Sequence, residues 1–252
     1  MTNRPPAGRK SDSAPPTAAR LEFGWGVDTL PGMNVIVEQL LRATTLPEIV
    51  DELQARLAQE RARREKFYEE TSDDQKAEFI NGEVIMHSPA TMRHLEVRER
   101  LSTVIRLYVN LHQLGRVVGE KALCVFPRND YEPDVCFFGR TKAALLQPTQ
   151  RKLPPPDFIA EILSESTESK DRGEKFDDYA AHGVGEYWII DPAGEIVEQY
   201  LAREGRYCLA QKSGTGEVSS VAVSGFSIPV RALFDDQLNL QVARGLLHPK
   251  PS

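Results

Sequence analysis

Residues 156–192 read PDFIAEILSESTESKDRGEKFDDYAAHGVGEYWIIDP. The apolar run from Phe158 to Leu163 has the length and β-branched content of a buried strand, yet it carries Glu161 in its middle. A second strand-like run spans Glu186 to Asp191. Between them lies a polar segment with helix signals: Ser169 or Asp171 as N-cap, Phe176, Tyr179 and Ala180 as an apolar stripe, and Gly183 as the stop. Strand, helix, strand predicts a βαβ unit whose helix, bearing Lys175, crosses one face of the sheet that bears Glu161. Tyr187 and Trp188 alternate across the last strand, and Trp188 is expected beneath the helix.

The chain has 252 residues, 40% hydrophobic and 27% charged, enough for one good core. The expected division is a disordered tail over 1–20, an extension over 21–45, one catalytic-sized domain over 46–240 and a tail over 241–252. Cys124, Cys136 and Cys208 are far apart, and the first two sit in apolar runs, so they read as reduced residues and not as a disulfide or zinc framework. With no apolar run near the ~20 residues of a membrane span and no secretory signal in the first 20 positions, the expectation is a cytoplasmic protein without membrane contact. The net charge of −6 means that any surface for nucleic acid must be local.

Pro47 near a first turn opens a helical pattern to about Tyr68, with Ile49, Leu53, Leu57 and Phe67 on one stripe. Its Arg56, Arg61, Arg63, Arg64 and Lys66, interleaved with glutamates, read as a solvated face or as a nucleic-acid contact. AEFINGEVIM, residues 77–86, predicts a β-hairpin turning at Asn81-Gly82. Ser88 to Leu114 predicts a helix, with His94 near its start as either a satisfied surface residue or a polar group lining a site, beside Glu96. Arg116 to Phe126 and Tyr131 to Phe138 predict an antiparallel pair of strands.

The second of these strands repeats the anomaly of Glu161. Alternation puts Asp134 on the face of Cys136 and Phe138, and Glu161 on the face of Ile159 and Leu163. An unpaired carboxylate in such packing costs several kcal/mol, on the order of what a partner must return. On neighbouring strands the two acids would lie about 5 Å apart and repel. A hard divalent cation, Mg²⁺ or Mn²⁺, resolves both problems. Neutralisation by Lys or Arg from a helix does so equally.

This order of elements, with EFINGEV, Arg93-His94, Glu132-Pro133-Asp134, Glu161-Ile162-Leu163-Ser164, Asp171-Arg172-Gly173-Glu174-Lys175 and EYWIIDP, resembles the Uma-two (Uma2) family of restriction-endonuclease-like proteins in the PD-(D/E)XK nuclease superfamily. The resemblance runs from about Leu46 to Asp235. It implies a mixed α/β fold with an αβββαβ core, DNA as substrate, and a metal-dependent phosphodiesterase site in which Asp134 and Glu161 hold Mg²⁺ or Mn²⁺. A homodimer is expected by analogy, because a duplex needs two cuts.

Where the superfamily usually has lysine, two residues after the strand acid, this chain has Leu163. Lys175 matches the family's displaced lysine and is expected to orient or deprotonate the nucleophile, so that Lys175→Met would spare the fold and remove cleavage. Lys175 also reads as an exposed partner of Asp171 at i, i+4. A noncatalytic nuclease-fold module acting through protein association remains the alternative.

Overall fold

The computed structural model describes Met1, residues 33–71 and residues 75–248. The expected disordered tail lies outside these residues except for Met1. By compactness the chain divides into residues 1–54 and 55–252. The first unit holds α1 (Met33–Leu41) and the beginning of α2 (Leu46–Glu70). The stripe expected on α2 is buried only at Phe67, while Leu53 and Leu57 are exposed. Arg64 is not on a solvated face. Its guanidinium bonds both oxygens of Asp130 at 2.6 and 2.7 Å and the carbonyls of Phe126, Pro127 and Asn129, tying down the turn before Asp130.

The hairpin forms as expected, with β1 (Ala77–Ile80) and β2 (Glu83–Met86) joined by Asn81 and Gly82, both at positive φ. α3 (Met92–Leu111) follows, its first turn capped by Thr91, whose hydroxyl accepts from the His94 N–H. Each of the next two expected strands is broken in two. Glu120 and Lys121 both adopt positive φ, 33° and 61°, and divide the first into β3 (Gly115–Gly119) and β4 (Leu123–Val125). Glu132-Pro133-Asp134 divides the second into β5 (Asp130–Tyr131) and β6 (Val135–Gly139). The halves still pair antiparallel, β3 with β6 and β4 with β5, but in different sheets.

α4 (Arg140–Ala143) and β7 (Lys152–Leu153) lead to β8 (Phe158–Ile162). The single expected helix is also broken, into α5 (Glu168–Asp171) and α6 (Glu174–Ala181), before β9 (Glu186–Asp191) returns parallel to β8. β10 (Ile196–Arg203) and β11 (Arg206–Ser213) extend that sheet, β12 (Glu217–Ser219) and β13 (Ser227–Pro229) form a small ribbon, and a 3₁₀ turn (Val230–Leu233) precedes α7 (Asp236–Leu247). The tail expected from residue 241 is therefore helical to Leu247, and residues 249–252 lie outside the description.

The main sheet has the order β11-β10-β9-β8-β6-β3, and the smaller one β2-β1-β5-β4-β7. Within the main sheet, α3, β3, β6, β8, α5/α6 and β9 make up the expected αβββαβ core. One face of it buries Val135, Phe137, Phe158, Ile162 and Trp188 against α3 and Phe226. The other buries Cys136, Phe138, Ile159, Leu163 and Tyr187 with Tyr179 of α6 and with Ile80, Cys124 and Tyr131 of the smaller sheet. So Tyr187, and not Trp188, lies beneath the helix. The reason is an anchor on the opposite face: the Trp188 indole N–H donates to Glu186 at 2.7 Å. Glu186 is itself fully buried, and Gln199, Ser220 Oγ and the Val221 and Ala222 amides also donate to it at 2.7–2.8 Å. All three cysteines are free thiols, Cys124 and Cys136 buried and Cys208 exposed.

Candidate active site

Asp134 and Glu161 meet where β6 and β8 run side by side. Strand pairing sets Val135 opposite Ala160, so the acids fall on one face, and the Asp134 amide donates to Glu161 Oε2 at 3.1 Å while the Ile162 amide donates to Asp134 Oδ2 at 3.0 Å. Both residues are buried, at 5% and 2% exposure. Lys175, on the first turn of α6, is 1% exposed and not the surface residue of the simpler reading. Its Nζ lies 3.0 Å from Glu161 Oε1, 3.1 Å from Glu78 Oε1 and 3.1 Å from Asp171 Oδ1. The Tyr179 hydroxyl donates to Glu161 Oε1 at 3.0 Å.

Lys76, just before β1, reaches Asp134 Oδ1 at 3.0 Å, and His94 Nε2 lies 3.4 Å from Asp134 Oδ2. His94 thus stands at the site. Glu96 does not: its side chain is half exposed and pairs with Arg100 at 3.4 Å, because it sits two positions round the helix from His94. Glu78 on β1 was not singled out by the sequence, although it is a fully buried acid in a four-residue strand, the same signal that marks Glu161. Its carboxylate takes the Glu132 amide at 2.9 Å and His87 Nε2 at 2.9 Å. Tyr179, read as part of an apolar stripe, also carries a polar contact to the site.

The electrostatics follow from this crowding. Burial pushes the Glu161 carboxyl up; Lys175 pulls against it, Asp134 and Asp171 add to it, and it stands well above the usual carboxylate range. Burial acts on Asp134 in the same sense but is outweighed by Lys76, His94 and the Ile162 amide, which hold it far below that range. Glu78 is likewise held at about 2, by Lys175 and His87 against burial. Burial raises Glu132 to about 7 despite Lys76. The Lys175 ammonium is stabilised well above its ordinary value by Glu161, Glu78 and Asp171, against burial.

Among the described residues the five acidic side chains of Glu78, Glu132, Asp134, Glu161 and Asp171 share a buried cluster with the ammonium groups of Lys76 and Lys175 and the imidazoles of His87 and His94. Among the described residues no three His, Cys, Asp or Glu side chains form a ready-made metal cage. The donor set nevertheless suits Mg²⁺, which takes one or two carboxylates and completes its shell with water and phosphate oxygens. Asp134 borders a cavity of about 590 Å³ walled by Arg98, Ser102 and Arg106 of α3 and by Gly119 and Glu120.

This architecture is that of a nuclease fold. A crystal structure of a putative nuclease belonging to DUF820 from Anabaena variabilis superposes with a TM-score of 0.60, covering 69% of this chain and 97% of that one at 20% identity, a likeness of fold. Residues 64–231 match the Uma2 family, described as putative restriction endonucleases, and the chain belongs to it. An uncharacterized protein of Synechocystis sp. is 29% identical over 138 residues, which span 54% of this chain and 77% of the relative. No helix among the described residues is long and apolar enough to cross a membrane.

Proposed function

We propose that this chain is a metal-dependent endonuclease that hydrolyses DNA phosphodiester bonds. The observation that supports it is the excess of buried carboxylate around Asp134 and Glu161, beside a cavity whose walls carry Arg98 and Arg106. Arg106 is exposed and has no ion pair among the described residues, which suits it to a backbone phosphate. Asp134 and Glu161 would hold Mg²⁺ or Mn²⁺, and the bound cation would activate water and offset charge developing on the phosphate.

The chain's own groups prepare that site. Lys175 and Tyr179 fix Glu161 Oε1, the Asp134 amide fixes Oε2, and His94 borders the Asp134 carboxylate. Lys175 is the ammonium that would steer the nucleophile or stabilise its charge. Acting on both strands of a duplex favours a homodimer, and the proposed setting is the cytoplasm. The test is plasmid cleavage by purified protein with Mg²⁺ or Mn²⁺ against chelator, in wild type and Glu161→Ala. Cleavage that needs the cation and is lost in the variant is expected; equal cleavage in both would overturn the assignment of Glu161.

One observation favours the second reading, a noncatalytic nuclease-fold module. All four oxygens of Asp134 and Glu161 already have protein partners, with Lys76 and Lys175 among them. Calorimetry that finds no Mg²⁺ or Mn²⁺ binding by the wild-type protein would favour it.

A further inference from the structure

A second cavity, of about 400 Å³, lies beside the first and has no part in holding Asp134 and Glu161. Its size falls within the ~300–1,000 Å³ of small-molecule sites. Tyr68, Leu123 and Leu146 give it apolar walls, and Arg116 and Lys121 stand at it with no ion pair among the described residues. Glu132 also lines it. That residue is 3% exposed, and its Oε2 is buried without a hydrogen-bond partner. A buried carboxylate oxygen left without a donor in a native fold calls for one, and the residue that carries it lines this cavity.

The two cavities adjoin. Gly119 and Glu120 line both, at the point where positive φ at Glu120 and Lys121 turns the chain from one sheet into the other. Glu132 lines the second cavity and Asp134 the first, two residues apart along the chain at the break between β5 and β6. A nucleic acid held at Asp134 in the first cavity would bring an adjoining nucleotide to the rim that Gly119 and Glu120 share with the second.

We propose that this cavity receives one unpaired nucleobase of the nucleic-acid substrate, with Glu132 accepting a hydrogen bond from an exocyclic amino group and with Arg116 and Lys121 meeting the adjoining phosphate. The idea rests on the nuclease reading and narrows it to substrates with a single-stranded, mismatched or extruded nucleotide beside the scissile bond. Unpairing a base costs a few kcal/mol, on the order of one stacking step, and costs least where the base is already free. An exocyclic amino group satisfies Glu132, whereas N3-methylthymine, whose ring has neither an amino group nor an N3–H, leaves the acid without its donor.

The test uses deoxynucleoside monophosphates and the full chain in the presence of chelator, so that neither metal nor cleavage enters. Deoxycytidine monophosphate is expected to bind at least roughly tenfold more tightly than N3-methyldeoxythymidine monophosphate, the discrimination of one hydrogen bond to a carboxylate. Glu132→Ala should abolish the preference, Glu132→Gln, which keeps an acceptor oxygen, should retain much of it, and Arg116→Ala should weaken both nucleotides alike. Leu146→Trp, which fills the cavity, should abolish binding even if the Glu132 variants fold poorly. Equal affinity for the two nucleotides, no binding at millimolar concentration, or a preference that survives Glu132→Ala would overturn the proposal. Cleavage of plasmid without nucleotide discrimination sinks the pocket and leaves the nuclease reading standing; discrimination without cleavage does the reverse.

Discussion

Lys175 Nζ and Glu161 Oε1 stand 3.0 Å apart with both side chains 2% exposed, and Glu78 and Asp171 crowd the same ammonium. Sequence reasoning expects Lys175→Met to leave the fold nearly intact, because Met retains the apolar stem that borders the buried stripe. Burial reverses this. Removing the cation leaves three carboxylates facing one another, so we expect a loss of about 3–5 kcal/mol in urea unfolding of the metal-free protein. The double variant Lys175→Met/Glu161→Gln should lose less than the sum of its parts. A Lys175→Met protein as stable as wild type would show that the three acids are already neutral.

The Lys76 ammonium occupies Asp134 Oδ1 at 3.0 Å. An ammonium there repels an incoming cation by on the order of a few kcal/mol at an effective dielectric of about 20. Lys76→Met should therefore raise Mg²⁺ or Mn²⁺ affinity by roughly tenfold in calorimetry. Unchanged or weaker binding would mean that the metal does not displace this contact.

Glu186 accepts from five donors on three segments and joins the start of β9 to the chain around 220. Glu186→Gln turns one acceptor into an NH₂ group facing donors, and we expect it to cost about 3–5 kcal/mol with cleavage chemistry otherwise untouched. Denaturant titration measures the loss; a change below about 0.5 kcal/mol would contradict the network.

His182 Nδ1 sits 2.6 Å from Asp178 Oδ1, and that hydrogen bond raises the imidazole above its ordinary 6.5 while partial burial opposes it. A raised folded-state value means that the pair's stabilisation is complete below pH 6.5 and fades as pH rises through the higher folded value. Proton NMR titration should give a His182 midpoint above 6.5, returning toward it in Asp178→Asn.

Much of this arrangement is legible in the sequence because it depends on local pattern. Asn81-Gly82 announces its turn, and the period-2 placement of Asp134 with Cys136, and of Glu161 with Ile159, follows from pleating alone. What depends on contacts between sheets is not legible. Nothing within two residues of Glu78 says that α6 will bring Lys175 to it, and nothing near Arg64 says that Asp130 will. The breaks at Glu120 and at Pro133 escape notice because both flanking halves keep strand character; only the choice of sheet changes. Tyr187 and Trp188 alternate as expected, but which of them faces α6 is decided by the bond of Trp188 to Glu186, whose other partners lie beyond residue 198.

The passage of both broken strands from one sheet to the other has a practical consequence. Glu78 belongs to the smaller sheet and Glu161 to the larger, so the ammonium of Lys175, which meets both, acts as a stitch along a seam. A substitution at Lys175 or Glu78 tugs on that seam as well as on the site. Inactive variants for substrate trapping are best drawn from groups outside the Lys175 cluster, such as His94 at Asp134, because a protein made inactive at Lys175 or Glu78 carries loosened assembly along with lost chemistry.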